Sequence, residues 1–413
     1  MKIYEMTDEE RIQLLLAGNY ITSKQADLLR SRQTISTELA NGLSENQIGS
    51  FSLPYGFATD FLIDGQDYLV PMVIEEPSVI AAASNAAKRI KNSGGFTTYP
   101  TKRIVYGQIV LEKISEADIQ QLQQHKKQLW DYAQQAHPSL AKRGGGVVSL
   151  EFHRYDDFFE LELGIDTVDA MGANMVNSIL EKTAHQVSET ISGDVLCSIL
   201  SNSGVGQVIK VTAAVEFAQL ATKTMAGDEV ASRIAKLSQF AQKSVKRAIT
   251  HNKGIMNGVD AVYLATGNDF RAEEAAAQSF AMDGTQYRPF SKWEIVDGKL
   301  LGTLQMPIEL GSVGGAISAL PMAQLSLAIM KIKDSQQLQS VVGAVGLANN
   351  LSAIRALVTT GIQAGHMGLQ SKSLAISAGA QGSEIDQVAQ ILNQTKNYTL
   401  KNVEKILMEL RNK

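Results

Sequence analysis

Val147-Val-Ser-Leu-Glu-Phe-His-Arg-Tyr-Asp-Asp-Phe-Phe-Glu-Leu-Glu-Leu-Gly-Ile-Asp-Thr-Val168 is the stretch whose reading decides the fold. Phe159, Leu161, Leu163 and Ile165 alternate with Glu160 and Glu162, the period of two of a half-buried strand. The turn Arg154–Asp157 joins that strand, read as Phe158–Val168, to an earlier one, Val147–His153, with Val148, Leu150 and Phe152 expected on one face. Upstream, Ile104–Glu112 reads as a strand. Ser115 with Asp118 resembles a capping box that opens a helix to about Ala136, before Gly144-Gly145-Gly146. Downstream, a helix is expected from about Ala170 to Ile191 and a strand from about Val205 to Val211. The order β-α-β-β-α-β is the ferredoxin-like split pattern. It predicts a small domain over 103–211 inserted into a larger one.

The flanking sequence reads as mixed α/β. Residues 7–45 look helical, and 68–74 read as a strand. Glu76-Pro77 then places Pro at the first helical position of an Ala-rich helix that runs to about Lys91. Residues 212–250 read as helical, His251–Gly258 as a Gly-flanked loop, Val259–Ala265 as a buried strand and Asp269–Met282 as a helix. Hairpin material over 285–308 precedes long Ala/Leu/Ser-rich helices to about Gln363. Amphipathic helices are expected at Ser383–Gln394 and Leu400–Arg411. The predicted class is therefore α+β. A large mixed α/β domain (1–102 and 212–365) carries the inserted ferredoxin-like domain (103–211) and a C-terminal helical flap (366–413).

Composition narrows the function. Thirty-eight basic against 42 acidic residues give a net charge of −4 over 413 residues, without the basic footprint of a nucleic-acid binder. One cysteine, Cys197, supports neither a disulfide framework nor a thiolate metal site. His125, His137, His153, His185, His251 and His366 are scattered without ligand spacing, so no metal is expected. The polar, acidic start after Met1 lacks a signal-peptide layout. The apolar stretch Gly314–Met330 is broken by Pro321, Gln324 and serines. A reducing, cytoplasmic setting and no membrane are expected.

Four side chains suggest chemistry. Asp269, in Ala265-Thr-Gly-Asn-Asp-Phe-Arg271, lies sixteen residues after Lys253. A Lys–Asp pair holds and tunes a cation that meets developing negative charge. Glu76, at a strand-to-helix handover beside Pro77, reads as a desolvated general acid or as a solvent-facing N-cap. Lys253 reads as an oxyanion partner or a solvated lysine, Asp269 as its orienting carboxylate or a plain N-cap, and His366 as an acid or a packed helix-start residue. Arg247, Thr250 and Asn257 cluster around Lys253 as donors suited to a carboxylate. Asp169-Ala-Met-Gly-Ala-Asn174 puts small residues at a helix N-terminus, where a backbone can approach a pyrophosphate. By itself it reads as an ordinary strand–helix turn.

Taken together, five segments resemble 3-hydroxy-3-methylglutaryl-CoA reductase of the soluble bacterial class II type. They are Glu75-Glu-Pro-Ser-Val-Ile-Ala-Ala-Ala-Ser84, Asp169-Ala-Met-Gly-Ala-Asn-Met-Val-Asn177, His251-Asn-Lys-Gly-Ile-Met-Asn-Gly258, Ala265-Thr-Gly-Asn-Asp269 and Gly365-His-Met367, in the family's order. The resemblance implies a four-electron reduction of hydroxymethylglutaryl-CoA to mevalonate and CoA with two NAD(P)H. It implies Glu76, Lys253, Asp269 and His366 as catalytic residues, with Glu76 a general acid, Lys253 an oxyanion partner, Asp269 holding both and His366 protonating the departing thiolate. It implies Ser78, Arg247, Thr250, Asn257, Asn349 and Ala353 around the substrate. Around the dinucleotide it implies Asp169, Ala170, Met171, Gly172, Ala173, Asn174 and Asn202. It also implies a homodimer with active sites at the interface and a flap that delivers His366. The sequence departs from the family pattern at Gly368-Leu-Gln-Ser-Lys-Ser-Leu374, at Phe270 and at Asn349, where Gln is usual. Lys142, Arg143 and Arg154 suit a 2′-phosphate and Asp156 and Asp157 a free 2′-hydroxyl; NADPH is preferred over NADH. A CoA- and dinucleotide-binding sensor without catalysis and a Schiff-base lysine enzyme are the competing readings.

Overall fold

The computed structural model describes residues 3–32, 35–361 and 371–412. Three N-terminal helices, Asp8–Ala17, Ser23–Ser31 and Thr37–Leu43, each begin behind a hydroxyl cap, from Thr7, Thr22 and Ser36. Ile12, Leu15, Ile21 and Ala26 from this segment close over Leu325 and Ile329.

Two main sheets follow. The larger has six strands in the order Ser291–Val296, Lys299–Pro307, Val208–Glu216, Phe96–Tyr99, Tyr55–Ile63 and Gln66–Val73. It draws on sequence from both sides of the segment 104–200, so the chain leaves this sheet and returns to it. The core against it includes Val79, Ala83, Ala86, Ala87 and Ile90 of the helix Val79–Lys91, and buried residues of the helices Val245–Thr266 and Ser335–Val358. Ser335–Val358 is long and apolar enough to cross a membrane, but here it is a core helix, buried through the turns from Leu338 to Leu351.

The smaller sheet is antiparallel, in the order Gly146–Tyr155, Phe158–Asp166, Ile104–Glu112, Asp194–Leu200. Helices Glu116–Gln124, Lys126–Gln135 and Ala173–Ser188 supply the crossovers, which gives the expected split βαββαβ order. The Ser115–Asp118 capping box forms on both sides. Ile109, Leu111, Leu161, Leu163 and Ile165 pack with Ile179, Leu180 and Val187 in a second core. Gly107 permits that packing, since a Cβ there would stand 2.3 Å from Leu180 Cδ1.

Several expectations are corrected. The fourth small-sheet strand is Asp194–Leu200; the stretch expected to supply it, Val205–Val211, instead starts Val208–Glu216 in the large sheet. Residues 212–250 are accordingly not all helical. Val259–Ala265 and the supposed loop His251–Gly258 both lie within one 22-residue helix, Val245–Thr266. A short run of apolar residues does not distinguish strand from buried helix, and packing outweighs the roughly 1 kcal/mol helix cost of each glycine. Pro77 lies in the turn before the helix, whose N-cap is Ser78, rather than at its first position. The expected helices over 170–191 and 115–136 begin at Ala173 and divide at His125. The strand Tyr55–Ile63 was not anticipated. Of the C-terminal expectations, the two amphipathic helices form at Ser383–Thr395 and Leu400–Arg411, and His366 lies outside the described residues.

Val148 is also corrected. The register slips between Val147 and Ser149, and this bulge turns Val147 to the core (7% exposed) and Val148 outward (41% exposed). Val147→Ala is expected to cost about 1–3 kcal/mol in urea unfolding and Val148→Ala no more than about 0.5 kcal/mol. Equal costs would contradict the bulge.

Candidate functional site

The helix Val245–Thr266 carries Arg247, Thr250, Lys253 and Asn257 within about a third of its circumference, since residues three and four apart share a face. Helical geometry thus supplies the clustering that a loop was expected to supply. Lys253 Nζ donates to Glu76 Oε2 at 3.1 Å, which joins the helix to the turn after the strand Gln66–Val73. Glu75 is exposed while Glu76 is partly buried. Ser78, the next polar residue of that turn, has φ 80°. Backbone strain of this kind persists only where surrounding structure holds it, and it gathers at functional sites.

Asp269 caps the helix Phe270–Ala281. Its Oδ1 accepts from the N–H groups of Arg271 (3.0 Å) and Ala272 (3.2 Å), and Arg271 Nη2 lies 3.0 Å away. It follows a helix that ends at Gly267 in the left-handed region, φ 69°, rather than a strand. The structure joins Lys253 to Glu76 directly but does not bring Asp269 to them: along the helix Val245–Thr266 the Asp269 corner lies about 20 Å from Lys253 of the same chain, against the expectation that Asp269 holds both.

Asn349 and Ala353 sit one turn apart on Ser335–Val358. A Cβ at Gly258 would stand 2.3 Å from Asn349 Nδ2, so the absence of a side chain there lets the two helices meet beside Asn257. Arg247 Nε is buried without a hydrogen-bond partner among the described residues, and burial holds the guanidinium below its usual pKa. A buried unpaired donor of this type suits an anionic guest.

The turn 167–172 has its own strain. Val168 is β-branched yet sits at φ 57°. It is held by its N–H to Asp166 Oδ1 at 2.9 Å and by Arg103 Nη1 donating to its carbonyl at 2.6 Å. Asp169 Oδ1 accepts from Ser335 N (2.9 Å) and Ser335 Oγ (3.0 Å), so this carboxylate anchors the turn. Gly172, φ 96°, opens the helix Ala173–Ser188 with no side-chain cap. A Cβ there would stand 2.4 Å from Thr167 Cγ2. Ala170, Met171 and Ala173 are half-buried around it, while Asn174 and Asn202 are exposed. Arg143 Nη2 lies 3.9 Å from Met175 Sδ in the first turn of that helix. This cradle, with free backbone donors and a nearby guanidinium, fits a dinucleotide phosphate.

Sequence reading missed the buried support beneath these segments. Tyr263 OH lies 2.7 Å from Glu273 Oε2 and 2.9 Å from Glu309 O, and Glu309 N–H donates to Glu273 Oε2 at 2.8 Å. Burial pushes Glu273 up to about 8 and Glu309 up to about 7. Glu273 lies in the helix expected over Asp269–Met282, while Glu309 and Arg103 had no local signal.

Residues 7–371 match the family described as hydroxymethylglutaryl-coenzyme A reductase. The 3-hydroxy-3-methylglutaryl-coenzyme A reductase of Archaeoglobus fulgidus is 39% identical, over 99% of this chain and 94% of that one. A probable 3-hydroxy-3-methylglutaryl-coenzyme A reductase of Borreliella burgdorferi is 34% identical, over 79% and 75%. Among solved structures, the Streptococcus pneumoniae reductase superposes with a TM-score of 0.83 at 38% identity, covering 98% of each chain. A class II structure from the same organism, bound to NADPH in open conformations, gives 0.82 at 39% identity, covering 98% and 100%.

The Glu273 site predicts a stability slope. Burial holds its folded pKa at about 8, above the ordinary carboxyl value of 4.5, so the folded state keeps the extra proton between those values and stability falls as pH rises through that window. Urea unfolding at pH 6.5 and 8.5 is expected to show the fall in wild type and a shallower one in Glu273→Gln. An unchanged slope in the variant would mean that Glu273 is ionised when folded.

Proposed function

The chain belongs to the hydroxymethylglutaryl-coenzyme A reductase family, and from that premise we propose that it reduces hydroxymethylglutaryl-CoA to mevalonate and CoA, the mevalonate-pathway oxidoreductase reaction. The Lys253–Glu76 pair carries this reading, because it sets a cation and a carboxyl group 3.1 Å apart where helix and turn meet. Two reduced nicotinamide dinucleotides, when bound, supply the four electrons.

This chain's residues have separable tasks. Lys253 faces the negative charge that grows on the carbonyl oxygen and stabilises it in the transition state. Glu76, hydrogen-bonded to that ammonium, donates the proton the oxygen takes up. Asp269, fixed as an N-cap about 20 Å along the helix from Lys253 of the same chain, would take the family role of holding a lysine only across the dimer interface. His366, placed here by the family resemblance, protonates the departing CoA thiolate. Arg247, with its unpaired Nε, takes the free carboxylate of the hydroxymethylglutaryl group, beside Ser78, Thr250, Asn257, Asn349 and Ala353. The turn Asp169–Asn174 holds the dinucleotide, with Asn202 near its rim. We read the domain limits as 1–102 with 208–365, 103–207 and 366–413, the expected limit at 211 being drawn back because Val208–Glu216 pairs in the large sheet, and the last a flap that excludes water when closed. The working form is a cytoplasmic homodimer with active sites at the interface.

Arg143, against the first turn of Ala173–Ser188, favours NADPH over NADH. Arg143→Ala is expected to lower kcat/KM for NADPH about tenfold, with little change for NADH, as loss of one charged phosphate contact requires. An equal loss with both cofactors would refute a 2′-phosphate role.

The reaction itself is checked by following NADPH oxidation and CoA release together, with two dinucleotides expected per CoA. Lys253→Ala is expected to lower kcat by about a hundredfold or more. If the variant keeps wild-type turnover, the oxyanion assignment is wrong. Borohydride trapping of a Lys253 adduct would replace it with Schiff-base chemistry, and ligand binding without turnover would favour the sensor.

A further inference from the structure

The strap Glu309-Leu-Gly-Ser-Val313 leaves the strand Lys299–Pro307 and runs between two parts of the site. On one side it meets the turn before Ala173–Ser188. Ser312 N–H donates to Asp169 O at 2.9 Å, and Val313 forms a parallel bridge with Ala170. On the other side it meets the corner that carries Asp269. Gly311 N–H donates to Asn268 Oδ1 at 2.7 Å, and Asn268 Nδ2 donates back to Gly311 O at 3.1 Å. A side-chain amide thus clamps one residue, Gly311, by both its N–H and its C=O.

Little slack exists in this arrangement. A Cβ at Gly311 would stand 2.6 Å from Met171 N, so the strap presses directly on the turn. Asn268 is 9% exposed, and its Nδ2 also donates to Thr266 Oγ1 at 3.0 Å. The strap is pinned in turn by Tyr263 OH near Glu309 O and by Arg103 donating to Leu310 O. Freeing the amide leaves the buried N–H and C=O of Gly311 unpaired, which is costly away from water. The turn and the Asn268–Asp269 corner therefore move together.

We propose that Asn268 is a positioning residue that transmits occupancy of the turn Asp169–Met171, through the Gly311 peptide, to the placement of the Asp269 carboxylate. The proposal rests on the reading of that turn as a dinucleotide site. It has a use in the proposed reaction, where two dinucleotides act in succession on one bound acyl group. A carboxylate set by the turn would be in place only when the next dinucleotide is.

Hydrogen exchange on the whole protein, with and without NADPH, tests the link without requiring turnover. In wild type, NADPH is expected to slow exchange both at 169–174 and at the Asp269 corner, 266–273. In Asn268→Ala, protection at 169–174 should persist and that at 266–273 should vanish. Asn268→Asp keeps an acceptor for Gly311 N–H and should retain part of it, which covers the case in which the alanine variant does not fold. In steady state, kcat of Asn268→Ala is expected to fall about 10–100-fold, the scale for an ångström of misplacement, with KM for hydroxymethylglutaryl-CoA nearly unchanged. Wild-type protection at 266–273 in the folded alanine variant would overturn the proposal, as would protection confined to 169–174 in wild type. Protection at neither segment would remove the dinucleotide reading of the turn and this proposal with it, while the NADPH-oxidation assay would still judge the reductase activity separately.

Discussion

The close approach of the helices Val245–Thr266 and Ser335–Val358 is the constraint on which the site depends. Gly258 against Asn349 and Gly346 against Ile255 and Val259 are contacts that a side chain at either glycine would crowd. Because the helices meet there, Asn349 lies against the helix at Gly258, and Lys253 projects from the preceding turn to Glu76. The helix propensity lost at the glycines is offset by burial of Ile255, Val259, Val345 and Leu351, each worth about 1.5–3 kcal/mol.

Strain marks the other half of the site. Ser78 and Val168 both adopt positive φ, one beside Glu76 and one beside the turn Asp169–Gly172. Val168 is held by Arg103 and Asp166, and Asp169 by Ser335, so a cost of about 1–3 kcal/mol is carried by a buried frame. The same frame includes Glu273 and Glu309, whose burial favours their neutral forms. Rigid support beneath short functional segments is what allows a site of exposed or half-exposed side chains to keep its geometry.

Much of the architecture was legible. The alternation at Phe159–Ile165 and the Ser115–Asp118 cap led to the split βαββαβ order, because period and capping are local properties. The motif segments led to the family. What misled was also local. Glycines 254 and 258 suggested a loop and Val259–Ala265 a strand, where a buried helix was decided by a partner about ninety residues away in the chain. The fourth small-sheet strand was misplaced because Asp194–Leu200, an edge strand with mixed exposure, lacks a clean alternation.

The sequence by itself determined which residue types were available: the acid, the lysine, the capping aspartate, the imidazole and the small-residue turn. It also determined the periods from which most elements formed, since both depend on near neighbours. The tertiary structure alone decided that Val147 rather than Val148 faces the core, that Lys253 pairs with Glu76 across 177 residues, and that Asn268 clamps Gly311 across 43. Such contacts depend on register, close approach and the exclusion of water from unpaired groups, and these arise only when distant segments are brought together.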